Sequence, residues 1–285
     1  MPTPQRFDRL DALRGVAIVW MALFMVLPIL MICYVSFWTQ TTFNISPDPT
    51  LASWKQFFSS DTYIASLWTT TRIWLIVLAT TFIVGYPTAL FVGLLVKSKT
   101  LSTILLVICV IPFWTSFLIR VLAWRPMLGK EGAINIILMK AGIIQQPIEV
   151  LLFTELSVII GMTQIYCVFM VGPIAFMLAR IDRNIIEAAR DLGAGFGRIF
   201  WKIIFPLSLP GVVVGAIFVS VMVLGEFATS GALSGRKVNL LGNIIVTQVG
   251  SLKWAMASVV GVILTVVMGI VIAGFLRIVD LKREL

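Results

Sequence analysis

The chain contains no histidine. Without an imidazole it cannot assemble a Ser-His or Cys-His nucleophilic pair, and it lacks the commonest nitrogen ligand for zinc. Cysteine is almost as scarce: Cys33, Cys109 and Cys167 all lie inside apolar runs. They read as small buried hydrophobes, with no spacing for a disulfide framework or a metal site. Charge is sparse as well, at 12% of 285 residues. Every Asp falls outside the apolar runs, which excludes an intramembrane aspartyl protease. No G-x-x-x-x-G-K-[ST] loop occurs, so nucleotide hydrolysis by that device is not carried here. There is no internal repeat of the kind secondary transporters often show, and no low-complexity segment.

What is present is apolar residues in long runs. They make up 59% of the chain, and the mean hydropathy is +1.03. Runs of eighteen or more residues with almost no charge are spanning helices. Six are expected: residues 16–38, from 67 or 72 to 95, 101–122, 156–178, 211–228 and 254–276. The first is too long for a signal peptide and no small-residue cleavage site follows it, so it is expected to remain as a span. Pro28 and Pro87 are expected to bend their helices. Residues 39–66 form an outer segment in which Trp54, Phe57 and Phe58 suit the interface. Residues 133–144 have apolar side chains at near-helical spacing, as for an amphipathic helix along the outer face.

The net charge of +9 belongs to loops rather than to a nucleic-acid partner. With both termini inside, Lys and Arg are denser in the short inner segments than in the long outer ones, as the positive-inside rule requires. The expected organisation is a cytoplasmic tail over residues 1–15, a six-helix membrane domain over 16–276 and a charged cytoplasmic tail over 277–285.

The most informative polar interruption runs through Glu187, Ala188, Ala189, Arg190, Asp191, Leu192 and Gly193. The spacing predicts a short helix over 183–191, with Asp182 as N-cap before Ile185 and Ile186. Gly193, Gly195 and Gly197 should turn it, since glycine tolerates positive φ. An amphipathic piece, 198–205, then meets Pro206 and Pro210, expected to break the helix before the next span. Two ionisable side chains also stand at membrane depth. Counted up their spans at helical rise, Arg120 and Glu226 reach comparable heights in the outer half. Such residues usually face a bundle interior or a path. Two readings remain open: a pair that lines or gates a substrate path, or a Glu226 that caps its span with an Arg120 that snorkels to the headgroups.

Glu187-Ala188-Ala189, then Gly193 after three residues, Ile203 after nine more, and finally Phe205-Pro206, resembles the EAA motif of ABC importer permeases. Phe205 stands where that family usually has Leu. The resemblance implies an all-α, polytopic membrane protein with six transmembrane helices in the ABC importer type I permease fold. It implies a coupling helix, about 182–197, seated in a cleft of a cytoplasmic ATPase dimer, with Glu187, Ala188, Ala189, Asp191, Leu192 and Gly193 as the coupling residues. Which of Ile185, Ile186, Ala188 and Ala189 face that cleft stays open.

Pro112-Phe113-Trp114-Thr115, Arg120, Gly225-Glu226-Phe227, Leu241-Gly242-Asn243, Gln248 and Trp254 resemble the spermidine/putrescine permease subfamily, first-subunit type. Glu226 stands where that subfamily commonly has Asp, and Ala255 where Pro is usual. This resemblance implies a small polyamine-like solute passing Arg120, Glu226, Trp114, Phe113 and Tyr166, whose rings offer cation–π faces. It implies no cofactor in this chain, ATP and Mg being held by the partner ATPase, and no catalysis. The implied partners are a second permease subunit in a heterodimer, a periplasmic or lipid-anchored solute-binding protein, and membrane lipid. The implied location is a bacterial inner membrane with both termini cytoplasmic. The same family carries other solutes, such as amino acid derivatives or organic ions. A secondary transporter is the competing class.

Overall fold

The computed structural model describes residues 14–41, 45–96, 98–235 and 237–278. Most of both expected tails, and Lys97, lie outside the described residues. The chain divides into two compact units, one of residues up to Ile64 with Ile244–Thr265, the other of Ala65–Asn243 with residues from Val266 onward.

The first unit opens with α1 (Arg14–Val35), apolar on every side and unburied over its membrane window. Pro28 has no N–H to donate and its ring crowds the preceding turn. The helix widens there into a π-turn, Ala22–Val26, in which the Leu27 N–H reaches Ala22. The span ends at Val35 rather than at residue 38, because Ser36 folds its hydroxyl back onto the Cys33 carbonyl at 2.6 Å. A small antiparallel hairpin follows, β1 (Trp38–Gln40) with β2 (Ile45–Pro49). Gln40 fastens it: its amide donates to the Leu252 carbonyl and its Oε1 accepts from Ala255 N–H. In α2 (Ala52–Ser59) the expectation for Phe57 fails. It is fully buried and stacks on Tyr63 at 5.4 Å, while Phe58 alone of that pair stays exposed.

In the second unit, α3 (Asp61–Leu95) starts well before residue 67. Thr69, Thr70 and Thr71 lie between the two starts expected for this span. Each returns its hydroxyl to the carbonyl four residues back, so the helix carries them without unsatisfied groups. Pro87 is absorbed into the helix and a π-turn, Phe91–Leu95, follows it.

The expected third span is not one helix. It is α4 (Lys99–Trp114) and α5 (Phe117–Leu128), and the axis over Phe117–Lys140 is bent by 94° from that of α4. Pro112 cannot donate within the last turn of α4, and Thr115 and Ser116 go extended. The amphipathic helix exists as α6 (Ala133–Lys140), shorter than expected. Its connection is pinned by the fully buried Asn135, which donates to Gly129 and Ile148 carbonyls and accepts from Ile148 N–H.

Then come α7 (Glu155–Ala179), α8 (Arg183–Asp191) and α9 (Phe196–Leu224). Pro206 and Pro210 do not break the helix as expected; a π-turn, Phe200–Ile204, absorbs them and α9 runs on. The remaining helices are α10 (Ala228–Leu233), α11 (Leu241–Gly250) and α12 (Trp254–Ile278). The stretch between the expected fifth and sixth spans thus contains most of α10 and all of α11.

Helices α7 and α9 form the centre of this unit. Gly211 and Gly215 sit one turn apart and let the backbones meet: a Cβ on Gly211 would lie 2.7 Å from the Pro173 carbonyl oxygen. Small residues at such spacing are how apolar helices approach closely in lipid. Met162, Met170, Ile174 and Leu178 of α7 are fully buried around that seam. Polar stitches fix α3 to both neighbours: Trp74 donates to Ser220 at 2.8 Å, Tyr86 meets Ser208 at 2.8 Å, and Thr80 meets Thr163 at 2.7 Å. At one end of the bundle Arg72 pairs with Glu155 in the first turn of α7. Among the described residues five helices are long and apolar enough to cross a membrane, six if the broken pair counts as one span. The architecture is an all-α polytopic membrane fold.

Candidate solute cavity and coupling surface

A cavity of about 560 Å³ opens among the end of α4, α5, α7 and the end of α9. Its wall is aromatic, from Phe113, Phe117, Tyr166, Phe169 and Phe227, with aliphatic side chains between them. Two charged groups face it, Arg120 and Glu226.

Glu226 does not ride inside α9, as its position in sequence implied. It lies two residues beyond Leu224, in the short break before α10. Gly225 ends α9, and the carboxylate turns back to cap α10, its Oε1 accepting the Thr229 N–H at 2.7 Å. Its Oε2 accepts the hydroxyl of Tyr166 from mid-α7. Glu226 is only 5% exposed, so both contacts are made away from bulk water, where hydrogen bonds to a charged group are strong. Gly242 guards the backbone behind it: a Cβ there would meet the Glu226 carbonyl oxygen at 2.5 Å.

Arg120 lies beyond the break that separates α4 from α5, so counting helical rise from residue 101 does not give its height. Its guanidinium stands over the Phe113 ring, 4.6 Å from the centroid, and its Nε is buried without a hydrogen-bond partner. No ion pair joins Arg120 to Glu226; among the described residues, Arg72–Glu155 and Lys130–Glu149 are the pairs that form. Phe113 also meets Phe169 edge to face at 5.1 Å. The cavity therefore brings together Phe113, Arg120, Tyr166 and Glu226. Trp114 is not among them: it is 82% exposed and does not line the cavity.

Arg125 is a contributor that sequence reasoning missed. One turn past Arg120 on α5, it donates through Nε and Nη2 to the Ala232 carbonyl at the end of α10, at 2.9 and 2.8 Å. With Glu226 at the start of α10 and Arg125 at its end, each charge complements the helix dipole.

The EAA stretch forms α8 as expected. Asp182 caps it, accepting the Asn184 N–H at 3.0 Å. Gly193 takes φ 79°, whereas Gly195 is extended with φ −69° and Gly197 belongs to the start of α9. The helix itself ends at Asp191, and residues 192–195 connect it to α9. Packing within the chain separates the side chains of α8. Ile186 and Ala189 lie against the core, while Ile185, Ala188 and Leu192 turn outward, Leu192 at 88% exposure. Glu187 and Arg190 border a shallow cleft of about 220 Å³ beside the end of α3. Asp191 is exposed at the last position of α8.

The family of binding-protein-dependent transport system inner membrane components matches residues 85–284. The chain belongs to this family. As an inner membrane component it is 33% identical over 260 residues to the spermidine/putrescine transport system permease protein PotB of Haemophilus influenzae, covering 90% of each chain. The PotB of Escherichia coli gives 33% over 90% of this chain and 93% of that one. The inner membrane ABC transporter permease protein YdcU of Escherichia coli gives 26% over 74% and 70%. Among solved structures, a bacterial ABC transporter involved in import of the acidic polysaccharide alginate superposes with TM-score 0.75 over 96% of both chains. At 18% identity that likeness gives the fold alone, and it is the type I permease fold of ABC importers.

Proposed function

We propose that this chain is a permease subunit of an ATP-driven importer, that its solute is a small polyamine-like cation, and that the aromatic cavity is part of the solute's path. The observation that carries the reading is the buried Glu226 carboxylate, held by Tyr166 and the α10 N-terminus inside an aromatic wall. A carboxylate with aromatic faces beside it is what an alkylammonium group binds. The PotB relatives, similar over nine-tenths of the chain, are permeases of spermidine/putrescine transport systems.

In this reading the outward face of α8, with Glu187, Ile185, Ala188 and Leu192, docks on a cytoplasmic ATPase dimer, and Gly193 permits the turn back into α9. Both termini are cytoplasmic, and a periplasmic or lipid-anchored binding protein delivers solute to the opposite face. A second, related permease completes the path. ATP and Mg are held by the ATPase. Closure of the ATPase pair would drive α8, and the spans would rock between inward-open and outward-open states, which is alternating access. Arg120 and Glu226 act as gate residues of the cavity, and Trp114 contributes only from outside it.

One observation favours a second solute class. Because Arg120 faces the same cavity as Glu226, an amino acid derivative carrying both charges would find a partner for each. The test is uptake by membrane vesicles holding the whole transporter, with radiolabelled spermidine and glycine betaine as probes. Saturable, ATP-dependent spermidine uptake that betaine does not inhibit supports the cationic reading. Betaine uptake in its place would transfer the assignment to the zwitterion. Uptake driven by an ion gradient with no ATPase in the purified complex would favour a secondary transporter.

A further inference from the structure

The inner end of α3 is a junction. Its last turn is the π-turn Phe91–Leu95, closed by the Val96 N–H on the Phe91 carbonyl, after which Val96 becomes extended. Helix ends leave carbonyls without intrahelical donors, and those near the end carry the negative pole of the dipole. Here side chains from two other helices supply donors. Arg183, the first residue of α8, donates Nη2 to the Leu94 carbonyl at 3.0 Å and to the Val96 carbonyl at 3.1 Å. Ser102, in the first turn of α4, donates to the Val92 carbonyl at 2.8 Å. On the opposite side there is no slack, because a Cβ at Gly93 would fall 2.6 Å from the Ala175 carbonyl oxygen of α7.

Helix α8 also rests on the bundle through Ile186 and Ala189, apolar contacts that carry no direction. The two Arg183 bonds, both from Nη2, are directional, so a displacement of α8 pulls on the α3–α4 corner. The far end of α4 carries Phe113, whose ring supports the Arg120 guanidinium in the cavity. We infer that Arg183 is a positioning residue that transmits movement of α8 to the α3–α4 corner, and through α4 to the aromatic wall of the cavity. The inference rests on the importer reading above.

The test uses the assembled transporter in vesicles and reads solute moved per ATP hydrolysed. Arg183→Gln removes both charge-assisted bonds and should lower that ratio about tenfold with the ATPase still bound at wild-type stoichiometry. Arg183→Lys should recover part of the loss, since an ammonium still donates to a carbonyl but lacks the fixed planar geometry of the guanidinium. Ser102→Ala breaks the next link without touching α8 and should lower the ratio about threefold. An unchanged ratio in Arg183→Gln, or loss of the ATPase from that complex, overturns the inference, the second by making Arg183 a docking residue. An unchanged ratio in Ser102→Ala overturns the route through α4. If the wild-type complex itself holds no ATPase, it is the importer reading that fails.

Discussion

Tyr166, midway along α7, donates its hydroxyl to the carboxylate of Glu226, sixty residues later in the break between α9 and α10. The bond ties the central helix of the second unit to the one acidic group facing the cavity. Removing either partner leaves the other buried and underpaired, so the two substitutions should not act independently. Tyr166→Phe is expected to reduce uptake about tenfold at equal protein level, and Glu226→Gln by more. The double mutant should resemble Glu226→Gln alone. Losses that simply multiply would show that the pair does not work as a unit.

Arg120 is expected to oppose cations rather than to bind them. It places a positive charge over Phe113 in the cavity, and a cation held about 4 Å from a guanidinium is repelled by on the order of 1 kcal/mol or more. Arg120→Gln should therefore lower the KM for spermidine about threefold or more and raise that for a zwitterion. A KM for spermidine that rises in Arg120→Gln would show instead that the guanidinium supports the binding wall.

The two faces of α8 make opposite predictions. Leu192→Asp changes an outward side chain, so the permease should fold and elute normally while ATPase recovery falls at least tenfold. Ile186→Asp puts a charge against the core, at a cost of about 2 kcal/mol or more, and should lower the folded yield. The comparison needs only detergent extraction, gel filtration and subunit quantification. If Ile186→Asp folds well and Leu192→Asp does not, the facing of α8 is reversed.

The sequence made some of these features plain and hid others for physical reasons. Helices α7 and α12 are continuous apolar runs bounded by polar residues, so their limits lie within two residues of expectation. The EAA helix was legible because Asp182 and Gly193 are cap and turn residues of known chemistry. Prolines misled. In water Pro206 and Pro210 would end a helix, but in an apolar bundle a π-turn absorbs them and α9 continues. Conversely, the break after Trp114 rests on Thr115 and Ser116 turning extended, a signal too weak to read against an apolar background. Glu226 was recognised as out of place in an apolar run, yet its partners came from α7 and α10, and no local pattern announces them. Arg183 and Arg125 act on carbonyls of distant helix ends, which have no sequence signature.

Close packing of α7 on α9 gives the last prediction. At Gly211 an added Cβ would sit 2.7 Å from the Pro173 carbonyl oxygen, 2.9 Å from Met177 Cγ and 3.0 Å from Ile174 Cα. Two of those three neighbours are backbone of the central helix, which cannot step aside as a side-chain tip can. Gly215 is less strict by a few tenths of an ångström: an added Cβ would meet Met170 Sδ at 3.0 Å and that residue's backbone Cα and carbonyl oxygen at 3.1 and 3.3 Å. Overpacking of this kind typically costs about 1–3 kcal/mol. Gly211→Ala should thus lower the thermal midpoint of the detergent-solubilised permease by several degrees, and Gly215→Ala by less, both read by gel-filtration retention after heating. Equal midpoints for Gly211→Ala and the parent would mean that the α7–α9 seam is looser than this close approach implies.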